Sequence, residues 1–329
     1  MATMRALVVT RHGGSQVLAV EEREVPDPGP GEALVEVAAG GVNFIDVYQR
    51  EGIYPTEPPY VQGVEAAGTV RAVGEGAVVA VGDRVAWSMA AGLHAELVIA
   101  DSTRLLPVPD DVDLETACAA TLQGMTAHAL VTDCVRVGEG TVALVHAAAG
   151  GVGQLLTQMI TSRGGTVIAT AGSQSKLDIA RSRGAAELVD YSRTDDLAAD
   201  IAAAADRVGA SRGVDVVYDG VGRATFDASL ASLRPRGTLV LFGGASGQVP
   251  PFDLQRLNSG GSLFVTRPTL AHYIQDRDEL LMRGREVFAD ISAGRLDIAI
   301  HHRYPFAEAA AAYDALEGRE TTGKLLLVP

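Results

Sequence analysis

The stretch HAAAGGVGQ, His146–Gln154, places three glycines in four residues directly behind an apolar run. Upstream, GTVALVHAA has the near-continuous apolar character of a strand covered on both faces. Downstream, GVGQLLTQMITSRG puts Leu155, Leu156, Met159 and Ile160 on one stripe at helical spacing. Strand, glycine turn and helix in that order form the arrangement that binds dinucleotides. At such a turn the main chain must come within hydrogen-bond distance of a pyrophosphate, and a Cβ would hold it off. The first helical turn supplies free N–H groups and a positive dipole end. Gly150 and Gly153 fall on the second and third glycines of G-x-G-x-x-G, with Ala148 on the first.

Outward from this turn the chain alternates. After the first strand–helix unit come GTVIATAG (strand), SQSKLDIARSRG (helix), AAELVDY (strand), TDDLAADIAAAADRVG (helix) and GVDVVYDGVG (strand). ATFDASLASLRPRG (helix), GTLVLFGG (strand) and GSLFVTRPTL (strand) follow. Six strands with intervening helices predict an α/β fold with a doubly wound parallel sheet over 123–266. Residues 1–122 have another rhythm: short β-branched runs with glycine corners, as in GEALVEVAAGGV and LHAELVIA, predict a small rolled β-rich domain. The tail HHRYPFAEAAAAYDALEGRETTGKLLLVP is one amphipathic helix between two strands. It is too little to fold alone, so 267–329 is expected to complete the first domain. There is no internal repeat.

With 329 residues and 47% hydrophobic content, the chain suits two domains with ample core. A formal charge of −14 disfavours nucleic acid and anionic membrane as partners, because phosphate surfaces demand clustered Lys and Arg. Two cysteines, Cys118 and Cys134, exclude a disulfide framework and fit a reducing compartment. The start, MATMRALVVT, lacks a signal-peptide core, and no stretch approaches the roughly 18 apolar residues of a membrane span. A soluble cytoplasmic protein is expected.

The type of dinucleotide is read about 20 residues beyond the glycines, where an Asp or Glu accepts from the ribose hydroxyls of NAD. Here that slot holds Gly172 and Ser173, and the next charge is Lys176. A hydroxyl and an ammonium without a carboxylate favour a 2′-phosphate, hence NADPH. The alternative is that Ser173 caps the helix and Lys176 is a solvated first-turn residue.

These motifs, together with HGGSQVL, GVNFIDVYQREGIYP, GVEAAGTVRAVGEGAVVAVGDRV, VVYDGVG, VTRPTL and TTGKLLLVP, cover essentially the whole chain. In them the sequence resembles the zinc-independent quinone oxidoreductases of the medium-chain dehydrogenase/reductase superfamily, the group that includes zeta-crystallin. The resemblance implies a GroES-like catalytic domain, a Rossmann domain and a cleft between them for NADPH. By it, Asn43 and Tyr48 are similar to the residues that reach the nicotinamide and its ribose, and are the catalytic candidates. Thr126 resembles the helix residue beneath the nicotinamide, and Gly150, Gly151, Val152 and Gly153 the pyrophosphate loop. Ser173, Lys176 and Tyr191 resemble the group around the 2′-phosphate. Phe242, Gly243, Ser246, Arg267 and Lys324 resemble the residues that close over the cofactor. The second glycine of FGGASG stands where many relatives carry a polar residue.

Zinc-dependent members of the superfamily hold their metal with a Cys at the GVN position and a His just before the Glu of GVE; here those positions are Asn43 and Val64, neither a zinc ligand. His12, His94, His128, His146 and His272 are isolated in sequence, and neighbours such as His301 and His302 on a strand point to opposite faces. All seven are expected to be structural, with no metal bound. Neither a Tyr-x-x-x-Lys dyad nor a Gly-x-Ser-x-Gly nucleophile is present. Hydride transfer without a metal suits an acceptor that delocalises the incoming charge, a quinone or a conjugated enone, with positioning doing most of the work. An NADPH:quinone reductase is expected, with an NADPH-dependent enone or 2-alkenal reductase as the alternative. A non-catalytic, crystallin-like nucleotide- or RNA-binding protein is the alternative of another class, and the acidic charge disfavours RNA. The edge strand 261–270 is apolar, and pairing it with its copy in a homodimer would protect it.

Overall fold

A computed structural model describes residues 2–319 and 321–329. The chain divides into two compact units, one of Met1–Met125 with Tyr273–Pro329 and one of Thr126–His272.

In the second unit, six parallel strands lie in the spatial order Glu187–Asp190, Thr166–Ala171, Val142–Val145, Val214–Asp219, Leu233–Leu241, Phe264–Thr266. In chain order this is 3-2-1-4-5-6, the doubly wound arrangement whose order reverses beside the first strand. Ligands of such sheets bind outside the carboxyl ends of the strands at that reversal, which is where His146–Gly153 lies. Leu144, Ile168, Val217 and Leu239 are buried on the sheet against Ile201, Ala204, Phe226 and Leu230 of two helices, Leu197–Arg207 and Phe226–Ala231. The helix Gly151–Ser162 buries Leu155, Leu156, Met159 and Ile160, the stripe its spacing predicts.

Two boundaries differ from the sequence reading. Residues 233–237 open a strand instead of closing a helix: Pro235 and Gly237 are poor helix formers, and Arg236 takes φ +64 before the chain joins Val214–Asp219. The edge strand is only Phe264–Thr266, cut short by Gly261 at φ +115 on one side and Pro268 on the other.

In the first unit, a seven-stranded sheet runs Ile300–Pro305, Lys324–Val328, Glu32–Val42, Glu65–Val73, Arg84–Ser88, Leu106–Pro107, with Leu97–Asp101 also on Glu32–Val42. A three-stranded sheet joins Leu18–Glu24, Thr3–Val9 and Tyr60–Val61. The C-terminal strand pairs antiparallel with Glu32–Val42, Leu325 opposite Val42, which brings Lys324 to the turn that leads into the helix Phe44–Arg50. The helix Arg277–Ser292 has no counterpart in the sequence reading, because Arg283 and Gly284 interrupt its apolar face. Gly284 lets the helix lie against Leu106, whose side-chain end a Cβ would meet at 2.5 Å. Among the described residues, no helix is long and apolar enough to cross a membrane.

Candidate functional site

The glycine loop is shaped by backbone contacts. His146 ends the first strand of the parallel sheet, and Ala147 turns the chain at φ +49, a left-handed conformation costing an alanine about 1–2 kcal/mol. Ala148 N donates to Thr170 O at 3.0 Å, and Gly150 N to Ala147 O at 2.9 Å. At Gly153 a Cβ would lie 2.5 Å from Ala147 O and 2.8 Å from Ala148 Cα, so only glycine fits. Gly150 stands at the N-cap of the helix and has no side chain to cap it. The amides of Gly151, Val152 and Gly153 therefore remain as donors for an external anion. Gln154 holds the loop from inside, Nε2 donating to Ala149 O at 2.9 Å and Oε1 accepting from Arg183 Nε at 2.9 Å.

The next strand ends at Gly172, where a Cβ would meet the Tyr191 ring at 2.8 Å. Tyr191 thus lies against Gly172, and Ser173 Oγ accepts from Lys176 N at 3.4 Å, capping the helix Gln174–Ser182. The four residues form one half-exposed corner. Asp190, opposite Ala171, turns Oδ1 to Ser192 N at 2.9 Å. At the following strand ends, Phe242 N donates to Asp219 O at 2.9 Å, its ring packs on Gly220, and Gly243 approaches the Gly220 carbonyl. Ser246 Oγ donates to Val221 O at 2.8 Å and accepts from Ala224 N at 2.9 Å, so it ties the two loops. Gly244, at the position where many relatives are polar, accepts from Gly247 N at 2.8 Å. Arg267 is exposed, its guanidinium 3.4 Å from Pro268 O. Thr126 is half-buried on the helix Leu114–Ala129.

The first unit holds a buried polar cluster around Asn43. Its Nδ2 donates to Gly41 O at 2.9 Å and to Glu65 Oε2 at 3.0 Å; its Oδ1 accepts from Lys324 Nζ at 2.6 Å. Lys324 also pairs with Glu65, and both are buried. Glu65 Oε1 accepts from Leu122 N at 2.5 Å. A Cβ on Gly41 would overlap the Glu65 carboxylate, so glycine is forced where the cluster meets the main chain.

Asp46, one helical turn on, accepts from Asn43 N at 2.8 Å and from the Tyr313 hydroxyl at 3.1 Å, while its Oδ1 finds no partner among the described residues. Burial pushes its pKa up to about 7, against the lowering effect of the Asn43 amide and Lys324. Burial likewise holds the Tyr313 phenol well above its ordinary range. His94 Nε2 donates to Gly41 O at 3.2 Å, and burial brings its pKa down to about 4. The helix thus turns Asp46 and Arg50 inward beside the apolar Val47, with Asn43 at its N-cap. Phe44 and Tyr48 are half-exposed, with the Tyr48 ring centroid 5.4 Å from that of Tyr54.

Among the described residues, no group of three or more His, Cys, Asp and Glu could hold a metal ion. Sequence reasoning places Asn43 and Lys324 but misses Glu65, Asp46, His94 and Tyr313 around them. It also misses Asp219, Ser229 and Gln154. The available signal is a charged residue inside an apolar run, as in GVEAAGTV and VVYDGVG.

Two family models match: alcohol dehydrogenase GroES-like domain over residues 29–110 and zinc-binding dehydrogenase over 151–275. A probable quinone oxidoreductase of Schizosaccharomyces pombe is 40% identical over 97% of this chain and 95% of its own. A 2-haloacrylate reductase of a Burkholderia species is 38% identical over 98% of each chain. A mycobacterial protein solved in complex with NADPH is 45% identical with a TM-score of 0.94, covering 99% of this chain and 100% of that one. The chain belongs to the quinone oxidoreductase, zeta-crystallin-like family of the medium-chain dehydrogenase/reductase superfamily. It is an enzyme, an oxidoreductase whose two units are the GroES-like and Rossmann domains of that superfamily.

Proposed function

We propose that this protein is an NADPH-dependent quinone oxidoreductase that works without a metal, in a cleft between its β-rich and Rossmann domains. The observation that carries the cofactor reading is the uncapped start of Gly151–Ser162, with Gly153 pressed onto the main chain of Ala147 and Ala148. That surface suits a phosphate-type anion, which the pyrophosphate of a dinucleotide supplies. Gly150, Gly151, Val152 and Gly153 hold it through main-chain N–H groups. Ser173, Lys176 and Tyr191 receive the 2′-phosphate; the cap from Ser173 to Lys176 N fixes the corner from which the serine hydroxyl and the lysine face the anion. Phe242, Gly243, Ser246 and Arg267 border the cofactor, and Thr126 supports the nicotinamide.

When bound, NADPH supplies a hydride to the acceptor. The chain itself positions and excludes water. Both hydrogens of the Asn43 amide donate internally, so what this residue offers outward is a carbonyl lone pair for a cofactor N–H or O–H. Lys324 braces that amide from behind and supplies, in fixed form, positive charge beside Asn43 and Glu65. With Val64 aliphatic at the other ligand position, the pair replaces a metal-binding chemistry with a rigid hydrogen-bonded one. Tyr48 presents a phenol for the acceptor oxygen. A quinone needs little more, since the charge it receives spreads over its ring.

A second reading, an NADPH-dependent reductase of conjugated carbonyl compounds, is favoured by the Burkholderia relative named 2-haloacrylate reductase. A panel of quinones and a panel of enones, each offered with NADPH, separates the two: the proposal expects fast turnover with quinones, and turnover with enones alone would replace it by the second reading. The proposal includes a cytoplasmic homodimer paired through Phe264–Thr266, whose Phe264 is 60% exposed. A single-chain mass by light scattering at micromolar concentration would contradict the dimer.

A further inference from the structure

The second unit contains a buried chain of side chains that no role above uses. Asp219, at the end of its strand, accepts from Val221 N at 2.8 Å, Gly222 N at 2.9 Å, Thr225 Oγ1 at 2.7 Å and Ser229 Oγ at 2.8 Å. Ser229 Oγ lies 3.1 Å from His146 Nε2, and His146 Nδ1 lies 2.9 Å from Thr170 Oγ1. Asp219, Ser229, His146 and Thr170 are all buried and come from three neighbouring strands and one helix.

The direction of every bond follows from the ends. A carboxylate only accepts, so the Ser229 hydroxyl donates its one proton to Asp219 and can only accept from His146. His146 therefore carries its proton on Nε2. Burial keeps the imidazole pKa below its ordinary value, with Asp219 opposing in part, so the ring is neutral and Nδ1 is an acceptor. Thr170 then donates to Nδ1. The chain reads Thr170 to His146 to Ser229 to Asp219, with each donor matched to an acceptor.

Its position gives it a use. His146 directly precedes Ala147, the left-handed residue of the glycine loop, and Thr170 O also receives Ala148 N. Asp219 gathers the amides that begin the loop carrying Val221, Gly222 and Thr225. One hydrogen-bonded line thus fastens three strand ends where the sheet order reverses. We propose that Asp219, Ser229, His146 and Thr170 are positioning residues, a chain of fixed direction that holds the glycine loop in its strained, cofactor-ready shape. This rests on the NADPH reading above.

The test uses Ser229→Ala and Asp219→Asn in the full chain. Nitrogen NMR of the wild type is expected to find His146 protonated on Nε2. In Asp219→Asn the amide oxygen must stay on the Val221 and Gly222 N–H groups, so its NH2 faces Ser229; the serine then donates to His146 and the ring must carry its proton on Nδ1. Ser229→Ala breaks the line, and NADPH affinity is expected to fall about tenfold, the loss appearing in KM for NADPH rather than in kcat. A merely structural chain would lower the unfolding midpoint of Ser229→Ala and leave the NADPH affinity of the folded protein unchanged. That result, or a wild-type His146 protonated on Nδ1, overturns the inference. If Asp219→Asn does not fold, the wild-type tautomer and Ser229→Ala still decide it. A wild type that does not bind NADPH at all would sink the proposed function and the purpose given to the chain. Normal wild-type binding with an unaltered Ser229→Ala sinks the inference alone.

Discussion

The two buried polar clusters are built on opposite plans. Around Asn43 the groups are ionic: Lys324 and Glu65 are buried against each other, Asp46 and Arg50 lie one turn apart, and the Oδ1 of Asp46 and one guanidinium nitrogen of Arg50 lack partners among the described residues. Around His146 a single carboxylate gathers neutral hydroxyls, amides and an imidazole, and each donor finds an acceptor. A directed line in which neutral donors satisfy one buried carboxylate needs no counter-ion and fixes shape. An ionic cluster costs much more to desolvate and gains its worth only while both partners are present. The difference separates a cluster that sets electrostatics beside the proposed reaction centre from one that shapes a cofactor loop.

Breaking the ion pair on one side should have the largest effect. Lys324→Met leaves the Glu65 charge buried and should lower unfolding free energy by about 3–5 kcal/mol in urea titration, and Glu65→Leu added to it should restore most of the loss. Ser229→Ala, in the line that ends on Asp219, should cost about 1–3 kcal/mol. Equal losses at the two sites would erase the contrast.

The ionic cluster should also give stability a distinctive pH dependence. The Asp46 pKa rises from an ordinary 3.8 to about 7 in the fold, so the protonated form is favoured and its contribution is lost as pH rises from about 4 through 7. The His94 pKa falls from 6.5 to about 4, so its contribution is complete above 6.5 and lost as pH falls toward 4. They amount to about 4 kcal/mol for Asp46 and about 3 kcal/mol for His94, and over the shared window they oppose. Wild-type stability should vary little from these two groups between pH 4 and 6.5, whereas Asp46→Asn should become steadily more stable as pH rises across that window. Parallel profiles for the two proteins would contradict the shifted carboxyl.

On the other side, Gly153→Ala drives a methyl into Ala147 O and Ala148 Cα, both main chain. It should cost about 1–3 kcal/mol of stability and weaken NADPH binding at least about tenfold by fluorescence titration. The smallest effect belongs to Ser173→Ala. The capping bond there is long at 3.4 Å, so the stability loss should be about 0.5–1 kcal/mol, with a reduced preference for NADPH over NADH in kcat/KM.

The Rossmann half was legible because its signals are local. Leu155, Leu156, Met159 and Ile160 repeat at helical spacing, and glycine marks the one turn where Gly153 must touch backbone. The helix Arg277–Ser292 was not legible: its buried face carries Arg283 and Gly284, which make sense only once Glu279 and Leu106 are in place. The same reason hid most of the polar clusters. Lys324 and Glu65 are 259 positions apart, and Ser229 and His146 are 83 apart, so nothing in either neighbourhood marks the partner. Resemblance picked out Asn43 and Lys324 as single residues, and the sheet pairing of Leu325 with Val42 is what makes them neighbours.

Metal-free quinone reduction by NADPH is tested most directly by the rate of NADPH and, separately, NADH oxidation by the purified protein with one quinone, with and without a chelator. Turnover with NADPH is expected to be well above that with NADH and unchanged by the chelator. Loss of activity in the chelator, preference for NADH, or no quinone-dependent oxidation of either would contradict it.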